Sequence, residues 1–338
     1  MGRGASPVKC LRGAVIGAVA VLVAGLAACS SGSTSSGAGP AHGPVEKTRI
    51  RVGVLPVVDV GPYYLAVENG YFKAEGLDVE TVVTQSGKAS IDGLISGELD
   101  ISQGSYPAAF QAQSRKAADF KIVAEALAAK PGHLVLGAPP NSPVKRMQDV
   151  AGKRVAVTAK NTMCDLAPKA VLESNSVDYT KIQWVEMSFP EMIPAMQRGD
   201  VDAACLVEPW VTTAAKQIGA VPLVDGASGP TANMPMAGFV VNSGQGRFGS
   251  TNPNTIAAFQ RALNRAALEA QDRSKVEPVL IKYVKIDQET ADIMTIATYS
   301  TSLDARRVQR VADLMEHFGV IKEHLDVSKM IWSYNSKG

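Results

Sequence analysis

From residue 50 onward, short apolar runs take turns with segments whose apolar positions recur every three or four residues. Ile50-Arg51-Val52-Gly53-Val54 reads as a strand. Pro62 suits the first turn of the helix that follows, where its missing N–H would be unpaired in any case, and Gly70 suits the left-handed turn that ends it. Tyr71-Phe72-Lys73 makes a short turn closed by Gly76. Leu77 to Val83 alternates with period two, a strand. After the turn Gln85-Ser86-Gly87, the residues Ile91, Leu94 and Ile95 share one helical face and Gly97 stops it. Leu99-Asp100-Ile101 is the next strand. Strands alternating with helices through short links predict a parallel-rich sheet covered by helices.

The pattern then returns. Lys153 to Val157 reads as a strand, about Thr162 to Glu173 as a helix, and Ile182 to Val185 as a strand. Ser188-Phe189-Pro190-Glu191 fits a capping box, and Gly199 ends the helix it opens. Pro194 lies inside that helix, where it removes a hydrogen bond and predicts a kink. Val201 to Cys205 follows as a strand. Gly97-Glu98-Leu99-Asp100-Ile101 and Gly199-Asp200-Val201-Asp202-Ala203 are then one word written twice: helix stop, acid, apolar, Asp, apolar. Each follows an earlier apolar-Asp entry, Leu77-Asp78 and Val177-Asp178, so two lobes of similar build are expected. The remainder reads as helices over Asn254–Arg273, Val276–Tyr283, Glu289–Thr298 and Leu303–Phe318. They carry no ligand constellation and are expected to pack around the first lobe.

The N-terminus is of another kind. Arg3, Lys9 and Arg12 precede an apolar run of about 15 residues, Ala14 to Ala28. That is short against the roughly 20 a bilayer span needs and fits an export signal. Leu26-Ala27-Ala28-Cys29 resembles the lipobox of bacterial lipoproteins. The resemblance implies cleavage before Cys29 and acylation of its sulfur, a membrane anchor rather than a span. The plainer alternative is an ordinary signal with a coincidental cysteine. A Ser/Gly-rich linker over 29–45 would let a folded domain float off the membrane. Removing the three basic residues of the signal leaves 31 Lys+Arg against 32 Asp+Glu. With no basic patch, nucleic acid is not an expected partner. Cys164 and Cys205 either pair or stand as buried free thiols. H-E-x-x-H, G-x-S-x-G and Walker lysine loops do not occur, and no motif calls for catalysis, a cofactor or a metal.

In open α/β sheets ligands sit at the carboxyl ends of the strands, and helix N-termini there suit anions. If two lobes face each other, their strand-end loops share one crevice. The first lobe would bring Asp59, Gly61, Tyr63 and Tyr64, then Ser86 and Gly87, then Gln103, Gly104 and Ser105. The second would bring Lys160, Asn161 and Thr162, then Ser188, Phe189 and Met192, then Glu208 and Trp210. The mix of amides, hydroxyls, glycines and rings is that of small-molecule pockets. Plainer roles compete: Ser105 and Ser188 as caps, Tyr63, Tyr64, Met192 and Trp210 as packing, Lys160 as a solvated cation. These loops hold no arginine, the usual fork for planar oxyanions, and no histidine.

At these residues the chain resembles a known family. Pro62-Tyr63-Tyr64-Leu65-Ala66-Val67-Glu68-Asn69-Gly70-Tyr71-Phe72-Lys73 through Val79, with Val201-Asp202-Ala203 and Glu208-Pro209, is similar to the nitrate/sulfonate/taurine-type solute-binding proteins of ABC importers. The same broad family includes binders of thiamine pyrimidine precursors. The resemblance implies an α/β, two-lobed periplasmic-binding-protein type II fold, hinged near His133–Gly137 and Met236–Val241. Lobe 1 would be 46–135 with 238–338, and lobe 2 136–237. It further implies a monomer that takes a small solute to an ABC permease and its ATPase outside the cytoplasm. The solute is either a sulfonate, nitrate or taurine-like anion, or a pyrimidine or other aromatic ligand. An enzyme of thiamine pyrimidine synthesis and a surface sensor are the alternatives of another class.

Overall fold

The structure is a computed structural model and describes residues 43–334. Cys29, the signal and most of the linker lie outside the described residues. Two sheets organise the chain. Strands β1 (Arg49–Val54), β2 (Asp78–Val83), β3 (Ile101–Ser105) and β4 (Phe120–Ala128) begin the first. The chain then leaves it for β5 (Leu134–Ala138), β6 (Arg154–Val157), β7 (Gln183–Glu186), β8 (Ala203–Val207) and β9 (Val221–Asp225). It returns with β10 (Pro235–Asn242) and β11 (Thr298–Tyr299). The six-stranded sheet runs β11-β4-β10-β3-β1-β2 and the five-stranded sheet β7-β6-β8-β5-β9. In the first, β1 lies parallel to β2 and β3, and β10 is antiparallel to β3 and β4. In the second, β6 lies parallel to β7 and β8, and β5 is antiparallel to β8 and β9.

The repeated apolar-Asp word has a structural job. The Asp100 carboxylate accepts the Arg51 backbone N–H at 2.9 Å and pairs with the Lys47 ammonium at 2.7 Å. In the other sheet, Asp202 accepts the Arg154 N–H at 2.8 Å and pairs with the Arg154 guanidinium at 2.9 Å. Those bonds hold the Asp202 carboxyl below the usual carboxylate range. Each aspartate thereby ties the entry of the third parallel strand to the central one.

Glycine stops recur where the sequence places them: Gly97 and Gly199 cap their helices at φ 82° and 75°. Helix Met163–Ser174 opens on Thr162, whose N–H donates to Asp165 at 2.7 Å. Helix Phe189–Arg198 opens on Ser188, whose N–H donates to Glu191 at 2.8 Å, and it continues through Pro194. The first core joins Tyr63, Phe72, Phe239 and Phe259, with the Phe72 and Phe259 rings stacked 5.1 Å apart. The second centres on Leu136, Val155 and Leu172.

Some expectations needed correction. The sequence pattern does not mark strands β4, β9 and β11, and the helix expected over Glu289–Thr298 ends at Ile293. Helices Pro253–Glu269 and Arg273–Val284 do pack on helix Gly61–Glu68. The segment after them also reaches the second sheet's residues, however. Thr295 N–H donates to Glu208 at 3.0 Å, and Lys216 pairs with Asp287 at 2.8 Å. Among the described residues no helix is long and apolar enough to cross a membrane.

Candidate binding site

The carboxyl ends of the parallel strands from both sheets open on one cavity of about 60 Å³. On the scale of roughly 10–15 Å³ per water, that is room for a handful of heavy atoms. Leu55, Val57 and Asp59 follow β1, Gly87 follows β2, and Gln103, Gly104 and Ser105 end β3. Thr158, Thr162, Met163 and Cys164 follow β6, Phe189 follows β7, and Val207 ends β8. His133 and Leu134 start one crossing strand, β5; Met236 and Ala237 lie near the start of the other, β10. Gly87, Met163 and Phe189 are each the first residue of a helix, so helix N-termini with their partial positive charge surround the cavity.

Its polar centre is Asp59. Leu55 N–H donates to Gln103 Oε1 at 3.2 Å, which turns the Gln103 amide so that Nε2 faces Asp59 Oδ2 at 3.4 Å. His133 Nε2 lies 3.6 Å from Asp59 Oδ1. Both residues are at least nine-tenths buried. Asp59 Oδ1 and His133 Nδ1 have no hydrogen-bond partner among the described residues. Burial disfavours charge on each, lifting the Asp59 carboxyl to about 7 and lowering the His133 imidazole to about 4. The lining contains no arginine and no lysine.

Of the residues the sequence nominated, Asp59, Gly87, Gln103, Gly104, Ser105, Thr162 and Phe189 line this cavity. The others sit elsewhere. Tyr63 is fully buried, its hydroxyl 2.7 Å from Thr81 Oγ1, and Tyr64 stacks on Tyr283 at 4.2 Å. Gly61 lies so close to Tyr299 that a Cβ there would collide with its hydroxyl. Ser86 accepts from Ala89 N–H as a cap, Ser188 caps its helix, and Met192 is core. Lys160 lines an outer cleft with Lys88 and Glu186. Asn161, at φ 60°, accepts from the Gln111 amide at 2.9 Å. Trp210 lines a different cleft, yet its ring stacks against Phe189 at 6.3 Å and 12° and so backs the cavity wall. Glu208 accepts from Thr212 N–H and hydroxyl and from Thr295 N–H, a tie across the molecule rather than a lining group. Burial raises its carboxyl, against the pull of those bonds.

The expectation that no histidine enters the crevice is corrected by His133. It follows Pro131-Gly132 in a link and reaches the cavity only because β5 crosses there. Cys164 and Cys205 are buried free thiols, with Cys164 Sγ 3.9 Å from the Cys205 carbonyl oxygen. Burial pushes the Cys205 thiol well above its ordinary range.

The pattern of the NMT1-like family matches residues 43–282. A Bacillus subtilis (strain 168) protein named for aliphatic sulfonate binding is 27% identical over 244 residues, 70% of this chain and 69% of that one. The alkanesulfonate-binding protein SsuA of Xanthomonas axonopodis pv. citri, solved bound to MOPS, superposes with a TM-score of 0.71 at 19% identity. The match covers 85% of this chain and 99% of that one. The periplasmic nitrate-binding protein NrtA of Synechocystis PCC 6803 superposes at 0.67 with 15% identity, covering 84% and 85%. At those identities the structural likeness is one of fold. The proteins are named for binding, not for a reaction.

Proposed function

This chain belongs to the NMT1-like family, and on that premise we propose that it is the lipid-anchored, extracytoplasmic substrate-binding component of an ABC importer. As a monomer held by Cys29, it captures a small solute between lobe 1 (46–135 and 238–338) and lobe 2 (136–237) and delivers it to a permease driven by an ATPase. The observation that carries this reading is the cavity shared by the strand ends of two alike sheets and rimmed by helix N-termini. Closure is a hinge motion driven by the solute's preference for the closed state. A 100-fold preference corresponds to about 2.7 kcal/mol, within reach of a few hydrogen bonds made on closing.

The names of the similar proteins favour a sulfonate, nitrate or taurine-like solute. The wall of Phe189 backed by Trp210, with a carboxylate and no guanidinium nearby, favours a pyrimidine-like or other nitrogen-bearing one. Calorimetric titration of the purified protein with ethanesulfonate, taurine, nitrate and an aminopyrimidine tests the receptor role, with Trp210 fluorescence as a second signal. A folded sample that takes none of them ends the proposal. Replacement of Cys29 by Ala is expected to release the protein from the membrane fraction.

A further inference from the structure

Resting on the receptor reading above, the geometry points to a more definite solute: we infer that it carries a positively charged N–H donor, which pairs with the Asp59 carboxylate, and is not a simple oxyanion. The polar atoms that line the cavity are lopsided. Asp59 and His133 are its ionisable side chains with oxygen or nitrogen, and neither arginine nor lysine faces them. Gln103 spends its carbonyl on Leu55 N–H and turns only a long 3.4 Å contact toward Asp59. His133 stands 3.6 Å away, beyond hydrogen-bond reach, and Asp59 Oδ1 has no partner among the described residues.

A carboxylate nine-tenths buried without a counter-charge is costly. A cationic nitrogen in the cavity removes that cost, and its binding is stronger for doing so. Once Asp59 is ionised, a bare nitrate or sulfonate does the opposite, placing a second negative charge beside the first. The raised carboxyl of Asp59 and the lowered imidazole of His133 agree with this geometry: neither group has its own cation, and His133 is neutral and cannot supply one. The helix N-termini at Gly87, Met163 and Phe189 leave room for a negative end on the same solute, so a dipolar compound qualifies as well as a cation.

The test uses shape-matched probes. Acetamidinium, acetate and nitrate are planar, Y-shaped and of equal heavy-atom count, but only the first donates. The purified protein is titrated with each at about pH 8, where Asp59 is ionised, by calorimetry or ligand-detected NMR, and taurine is compared with ethanesulfonate. The expected result is acetamidinium bound at least ~10-fold tighter than either anion, taurine tighter than ethanesulfonate, and both preferences abolished by Asp59→Asn. Nitrate or ethanesulfonate binding tighter than its donor-bearing counterpart overturns the inference and leaves the receptor role standing. So does acetamidinium binding that Asp59→Asn does not change. Failure of every probe on folded protein overturns both. Should Asp59→Asn not fold, the wild-type ranking of the matched probes decides alone.

Discussion

The two sheets follow one plan and divide the chemistry between them. The order β2-β1-β3-β10-β4 in the first answers to β7-β6-β8-β5-β9 in the second, each a parallel trio beside an antiparallel crossing strand. Asp100 and Asp202 do the same job at the same place. At the open ends the likeness stops. The first sheet offers Asp59, Gln103 and Ser105, while the second offers Met163, Phe189 and Val207 with two threonines. The shared plan fixes where the cleft falls; the residues just beyond each strand decide what it holds.

That division can be broken by substitution. Phe189→Ala, cutting into the apolar wall of the second sheet, is expected to cost about 3–5 kcal/mol in urea unfolding. Asp59→Asn on the opposite wall should leave the urea midpoint near or above wild type while affinity falls. Equal stability losses from the two would erase the contrast. Next come the twin aspartates: Asp100→Ala and Asp202→Ala, with side chains 10% and 13% exposed, should each cost about 1–3 kcal/mol. A null effect at one of them would show that the repeated word carries different jobs.

The crossing strands supply a finer comparison. A Cβ at Gly238 on β10 would sit 2.7 Å from the Ala124 carbonyl, whereas one at Gly137 on β5 would sit 3.3 Å from that of Val221. Gly238→Ala is expected to lower stability by about 1–3 kcal/mol and Gly137→Ala by less, measured by thermal melts.

The last comparison is in pH. The folded state keeps the Asp59 proton up to about 7, above the unfolded value, so its contribution declines as pH rises toward 7. His133, lowered to about 4, acts oppositely and adds stability as pH rises from 4 to its unfolded value. Of the groups near Asp59, His133 titrates in this window and the Glu208 carboxyl is raised by burial, but both are common to wild type and variant; Tyr299 is pushed far up by burial. The melting temperature of wild type minus Asp59→Asn should therefore fall steadily between pH 4 and 7. A difference that does not move with pH would mean Asp59 is not the buried acid described.

Much of the frame was legible in the chain. Short apolar runs marked β1 and β7, period-two alternation marked β2, glycines marked the helix ends, and Ser188 with Glu191 marked a cap. Strand β10 was harder, since Pro235–Asn242 is buried along its whole length and shows no alternation. It entered only as a hinge implied by the family resemblance. The site was half legible. Strand-end logic reached Asp59, Gln103, Thr162 and Phe189, whose places follow from local order. It overreached at Tyr63 and Tyr64, because which face of a helix packs inward depends on Phe72, Phe239 and Tyr283, distant in sequence. It missed His133, whose position depends on a crossing no local pattern announces.

That crossing has a consequence for how the polypeptide is assembled. β10 lies between β3 and β4, yet more than a hundred residues separate it from either in order of synthesis. As the chain emerges N-terminus first, β4 has no neighbour on its inner edge until the whole of the other sheet has appeared. The later-born half is thus free to settle first, and the earlier-born one waits, with an open edge that invites wrong pairing in the interval.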